Sequence, residues 1–194
     1  MDGALASVAY LLWRRATGDT ARLMLWLLWV TKAFVAAGYL CFSGVTGVGD
    51  LGPGADGGIG PLADHWLWRI GEASVGIALY TWLVRRAIST LSTMVGDSPA
   101  TRSVRREIGY PYYLTLGIAA VIVDLFNPVG LFITIMPSAA SSFGGNAGFL
   151  AVAPNVPNGR RQLRFVVPRN LPMLVLGIAA TLVFAIVLGP SIRR

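Results

Sequence analysis

Four stretches of this chain are almost wholly apolar, and each is about as long as the roughly 20 residues a helix needs to cross a bilayer. They cover residues 22–42, 65–88, 111–136 and 171–189, and the last carries no charge. A backbone in hydrocarbon must satisfy its own hydrogen bonds, so such stretches are read as helices packed side by side. The expected fold is therefore all-α: a polytopic membrane helix bundle of four transmembrane helices, one membrane domain over residues 1–194. Composition points the same way, with 55% hydrophobic and 13% charged residues, about half the charged share of an ordinary soluble domain. Trp26, Trp29, Trp66, Trp68, Tyr110, Tyr112 and Tyr113 lie near the ends of these spans, where interfacial aromatics gather. Residues 5–13 are apolar but short, follow Asp2 and precede Arg14 and Arg15. That charge order is the reverse of a cleavable signal, and the stretch reads as an interfacial N-terminal helix with Tyr10 and Trp13 at headgroup level.

Of the 16 basic residues all but Lys32 are arginine, and the net charge is +7. The arginines cluster between the apolar runs, where flanking charges orient a membrane protein and meet anionic headgroups. No nucleic-acid partner is expected. Residues 43–64 hold eight glycines, two prolines, three aspartates and no basic residue, so they form an irregular external loop. Asp50 and Asp56 are too few for a calcium cage. Arg85, Arg86, Arg102, Arg105 and Arg106 place the second connection inside, with Arg14, Arg15, Arg22 and the Arg193–Arg194 tail. This gives a cytoplasmic N-terminus in the plasma (inner) membrane. One connection breaks the pattern. The loop 158–170 carries Arg160, Arg161, Arg164 and Arg169 without an acid, yet alternation sends it outside. Two other arrangements bring it inside: separate crossings over 111–126 and 129–151, or a dip of 143–157 into the membrane and back. Sixteen residues give a helix only about 24 Å long, short for a core of about 30 Å, so four spans are preferred.

Lys32, Arg69, Glu72 and Asp124 fall inside the spans, where a charge costs about 3 kcal/mol or more unless paired or hydrated. Counting helical rise from the inner ends puts Lys32 roughly 15 Å, and Glu72 and Asp124 roughly 21 Å, above the cytoplasmic edge. The three can then meet in the bundle interior. Arg69 and Glu72, three apart, share a helix face, and Arg69 can snorkel outward. One reading is a structural cluster, Lys32 with Asp124 and Arg69 with Glu72. The other is a hydrated pocket where Glu72 or Asp124 binds a headgroup or exchanges a proton. A kink at Asn127–Pro128 would free a carbonyl and open a cavity beside Asp124. Ala33 with Ala37, and Ser74 with Ala78, offer close helix contact. Gly144, Gly145 and Gly148 lack the lysine-serine pattern of a phosphate loop. Cys41 and His65 are each alone, which leaves no intrachain disulfide, no HExxH and no axial histidine pair. No metal and no intrinsic cofactor are expected.

The run Glu72-x-x-Val75-Gly76-Ile77-Ala78-Leu79, with Arg86–Ala87 at the span's exit, resembles the second helix of the DoxX/DoxD family of small four-helix membrane proteins. The first span, with a lysine and Gly38, is similar. That resemblance covers roughly a third of the chain and implies a four-helix bundle working beside quinone or thiol redox partners. Lys32 precedes Gly38, where the family has its lysine after the glycine. Gly71–Glu72–Ala73–Ser74–Val75 also resembles the HExxH helix of site-2 membrane proteases with both histidines lost, and Asn155–Gly159 resembles their aspartate-glycine motif with asparagine replacing the aspartate. This would imply a zinc-free binding protein.

The function expected from the sequence is a small multi-pass subunit of a larger membrane complex, redox or respiratory, contributing a carboxylate-lined quinone or lipid pocket. Its partners would be membrane lipids and other membrane subunits. The contrasting class is a proton-coupled carrier acting as a homo-oligomer, with Lys32, Glu72 and Asp124 along its path.

Overall fold

A computed structural model describes residues 1–47, 65–124, 139–168 and 171–188. All named elements among them are helical. Helix α1 (Asp2–Arg15) and helix α2 (Asp19–Thr46) are separated by residues 16–18, a link so short that the two must fold back on each other. Asp19 in the first turn of α2 and Arg14 and Arg15 in the last turn of α1 suit the helix dipoles. The antiparallel register closes at the far end, where Lys32 Nζ meets Asp2 Oδ1 at 2.9 Å. Helix α1 therefore lies along α2, burying Ala6, Ala9 and Trp13, instead of lying alone at an interface. Helix α2 ends on Gly47, whose φ of 70° is the left-handed conformation that glycine adopts without strain.

Helix α3 (Trp66–Val95) returns antiparallel along α2. Trp26 Nε1 donates to Thr90 Oγ1 at 2.9 Å near one end. Toward the other end two glycines set the spacing. A Cβ on Gly76 would lie 2.7 Å from the Cys41 nitrogen, and one on Gly44 would lie 2.6 Å from the Ala73 nitrogen. Of the small residues expected at this contact, Ala33 and Ala37 are buried, whereas Ser74 and Ala78 face outward.

A 3-10 turn, Pro99–Thr101, leads into helix α4 (Arg102–Asp124). Pro111 sits inside α4 and does not start it. Helix α4 runs parallel to α2, held by a 2.9 Å hydrogen bond between Thr31 Oγ1 and the Tyr112 hydroxyl. Residues 125–136 of the expected third span, with Asn127 and Pro128, lie outside the described residues, as do residues 48–64 of the glycine-rich loop.

The chain then comes back. A π-helical turn (Ala140–Gly144) and the short helix α5 (Gly148–Val152) fill the space between α2, α3 and α4. Phe149 is fully buried and meets Trp26, Phe34 and Tyr112 edge-on at 6.1, 5.5 and 5.3 Å, a favoured aromatic geometry. The Tyr80 hydroxyl donates to the Gly145 carbonyl at 2.8 Å and accepts from the Gly148 N–H at 2.7 Å. It thereby satisfies backbone groups that the irregular turn leaves open. Gly145 packs beside Gly38, Phe149 reaches Trp26, and Asn155 meets Arg105. The segment thus descends toward the end where α2 began.

The basic loop is then fastened to the α3–α4 turn. Asp97 and Ser98 N–H donate to the Arg161 carbonyl at 2.9 and 3.1 Å, and Gly159 N–H donates to the Asp97 carbonyl at 3.0 Å. Gly96 and Gln162 form an antiparallel bridge. Four-span alternation separates Arg160, Arg161 and Arg164 from Arg102, Arg105 and Arg106. The structure sets them at one end, because the partly buried segment 139–155 runs back toward it. Helix α6 (Leu171–Leu188) packs on α4 and leaves most of its apolar surface exposed. By length and composition, α2 is the one described helix long and apolar enough to cross a membrane; α6 has a shorter apolar run, Leu171–Val183.

Candidate functional site

Of the charges expected to meet in the bundle interior, Lys32 stands apart from Arg69 and Glu72 among the described side chains. Lys32 is held by Asp2, and both partners of the pair are about one-third to two-fifths exposed. Arg69 hydrogen-bonds the carbonyls of Gly44 and Val45 at 3.3 and 2.6 Å, which caps the end of α2 and not Glu72. The Ala73–Gly44 contact sets Glu72 near that same end of α2. Lys32 lies twelve residues earlier on α2 than Gly44, about 18 Å along the axis. Glu72 Oε1 is buried without a hydrogen-bond partner among the described residues. Asp124 is the last residue of α4, and its side chain lies outside the described set. Among the described residues no three His, Cys, Asp or Glu side chains gather into a group that could hold a metal ion.

The arginine-rich end is built differently from a row of solvated flanking charges. Arg105 is fully buried. Its Nη2 donates to Ser92 Oγ at 2.6 Å and to the Gly96 carbonyl at 2.7 Å, and Nη1 donates to the Asn155 carbonyl at 3.2 Å. One guanidinium thus ties α3, α4 and the segment after α5 together, using the fork geometry that lysine lacks. Burial pushes its pKa down and the nearby Asp97 charge opposes that; an arginine stays protonated regardless. Arg160 and Arg164 are exposed, Arg161 is exposed with its backbone tied to Asp97, and Arg169 lies outside the described residues.

Two adjoining cavities open between α1, α2 and α3. The first, of about 480 Å³, is lined by Arg14, Arg22, Arg86, Tyr10, Trp13, Ser89 and Thr93 among others. The second, of about 700 Å³, is largely apolar and includes Tyr10, Arg86, Trp29, Ala33, Leu79, Trp82 and Leu83 in its walls. Tyr10 and Arg86 belong to both. Tyr10, Trp13 and Trp29 form one aromatic group with ring centres 5.0 to 6.3 Å apart. Arg86 sits 5.8 Å over the Tyr10 ring and donates to its hydroxyl, a cation–π contact that fixes the guanidinium.

No family profile, curated protein or solved structure matches this chain. The sequence reading missed these cavities because Tyr10, Trp13, Trp26 and Trp29 look like interfacial anchors. The signal that pointed inward was spacing: each pair lies three apart, on one helix face, on two helices joined by a link too short to part them.

Proposed function

We propose that this chain is a multi-pass membrane helix bundle acting as a small subunit of a larger membrane complex, with an amphiphile held in the groove between α1 and α3. The observation carrying this reading is the outer surface. On α6, Leu171, Leu174, Val175, Leu176, Ile178, Leu182, Val183 and Ile186 are all exposed, Leu176 to 69%. On α3, Leu67, Ile70, Val75, Ile77 and Trp82 are exposed as well. Apolar area of this extent is covered by lipid or by another protein, and α6 is apolar all round, as a membrane helix is. The shared arginine-rich end would face the cytoplasm by the positive-inside bias. The return segment at 139–155 is compatible with that, since irregular backbone is tolerated at membrane depth when protein surrounds it. A quinone as the bound amphiphile rests on the resemblance around Glu72 and Gly76.

The test is alkaline washing of membranes, followed by gentle purification and mass spectrometry of co-purifying polypeptides, lipids and quinones. The chain is expected to resist washing and to bring other membrane polypeptides at fixed stoichiometry. Release by the wash would overturn the membrane reading. A homogeneous oligomer of this chain alone would overturn the subunit reading.

The buried, unpartnered Glu72 Oε1 favours a second reading, a proton-coupled carrier, since isolated carboxylates inside membranes serve proton relays. In liposomes a pH-driven flux abolished by Glu72→Gln would support it, and flux unchanged by that substitution would end it.

A further inference from the structure

We propose that the arginine-lined cavity and the apolar groove form a single site for one lipid with an anionic phosphate headgroup. The inference deepens the membrane reading and rests on it. Arg14 from the end of α1, Arg22 from the start of α2 and Arg86 from α3 converge on one cavity, and no carboxylate lines it among the described residues. Three like charges in one concave space repel one another, and bound negative charge offsets that repulsion. Guanidinium forks match phosphate oxygens in pairs. Arg86 is already oriented by Tyr10, and the hydroxyls of Ser89 and Thr93 border the same space. A neutral quinone offers these groups carbonyl acceptors but no charge to offset their repulsion.

The groove supplies the rest of the ligand. From Arg86 it climbs past Leu83, Trp82 and Leu79 on α3, and from Trp29 to Ala36 on α2. Each path is seven residues long, about 10 Å. It leads from the arginine-rich end toward the bundle's middle. A lipid of the inner leaflet has the same polarity, with phosphate at the basic edge and acyl chain toward the bilayer centre. Charge at one end and apolar walls beyond it therefore specify a phosphate-headed lipid and not a free anion.

The full chain, purified in an uncharged maltoside detergent, is titrated with phosphatidylglycerol or phosphatidylcholine brominated in the acyl chains, and tryptophan fluorescence is read. Trp13 lines the cavity and Trp29 and Trp82 line the groove, so a chain in place quenches them. Phosphatidylglycerol is expected to quench at about tenfold or more lower concentration than phosphatidylcholine, given about fivefold per arginine near an anionic headgroup. Arg14→Gln and Arg22→Gln remove side chains whose guanidiniums carry no hydrogen bond among the described residues. Each should weaken phosphatidylglycerol about fivefold and the zwitterionic phosphatidylcholine, whose choline offsets its phosphate charge, by less. Equal quenching by the two lipids, or unaltered phosphatidylglycerol binding in both variants, overturns the proposal. Inorganic phosphate displacing the brominated lipid at matching concentration overturns it too, in favour of a free-anion site. A chain that resists alkaline washing but does not tell the lipids apart loses this site alone, with the membrane reading intact.

Discussion

Arg105 and Glu72 show how differently a charged side chain can be treated inside one helical bundle. Arg105 has three acceptors around it, so its removal leaves Ser92 Oγ and the carbonyls of Gly96 and Asn155 without their donor. Arg105→Ala should lower stability by about 3 kcal/mol, and Arg105→Lys should recover only part of that, both read from thermal unfolding in detergent. Glu72 has the opposite problem, a buried oxygen with no donor among the described residues. Glu72→Leu is expected to raise stability by about 1 kcal/mol, since it removes the unsatisfied buried oxygen outright. A clear loss of stability in that variant would mean the carboxylate is engaged. Glu72 stood out in the sequence as an acid inside an apolar run, but the role of Arg105 was not legible there. Arg105 stands in an Arg-x-x-Arg-Arg run that looks like an ordinary flanking cluster, and only the helix phase of α4 decides which member turns inward. Lys32 was conspicuous as a cation inside an apolar run, but its partner Asp2 belongs to a helix that was read as separate.

At the scale of elements, the apolar runs located α2, α3 and α6 because each is a long stretch whose chemistry barely depends on its neighbours. The charge-bearing ends were harder. Helix α4 starts nine residues before the expected span, since Ser98 and Pro99 begin the helix and a proline at 111 does not end it. A dip of 143–157 stood as an alternative, and four spans were preferred on a length argument that bears only on a separate crossing over 111–126. The stability of the return segment comes from one ring. Phe149 touches aromatic rings from both α2 and α4, and truncating a buried phenylalanine costs about 3–5 kcal/mol. Phe149→Ala is expected to lower the unfolding temperature and to raise amide hydrogen exchange in 145–153 first. Exchange that rises evenly along the chain would show that the segment is not held by this contact.

For the whole molecule, the placement of the arginines depends on the ties between 95–98 and 159–163. In a Cys41→Ser background, single cysteines at Ser98 and Asn158 are expected to react with a membrane-impermeant thiol reagent from the same side of sealed vesicles. Labelling from opposite sides would contradict the fastening of these two turns. Four-span alternation separated Arg160, Arg161 and Arg164 from Arg102, Arg105 and Arg106 because it treats every connection as a loop on one face or the other. A connection that folds back into the protein changes the parity without adding a full crossing.

The hairpin of α1 and α2 is complete by residue 46 of 194, and its ion pair joins residues only thirty positions apart. Contacts so local form early, and chains emerging from the ribosome fold from the N-terminal side. Two walls of the groove are thus in place while most of the polypeptide is still to be synthesised, and the third arrives with Trp82 and Arg86. The binding site comes into being in the act of docking α3, so any occupant of it would meet the nascent bundle as a late cofactor of assembly.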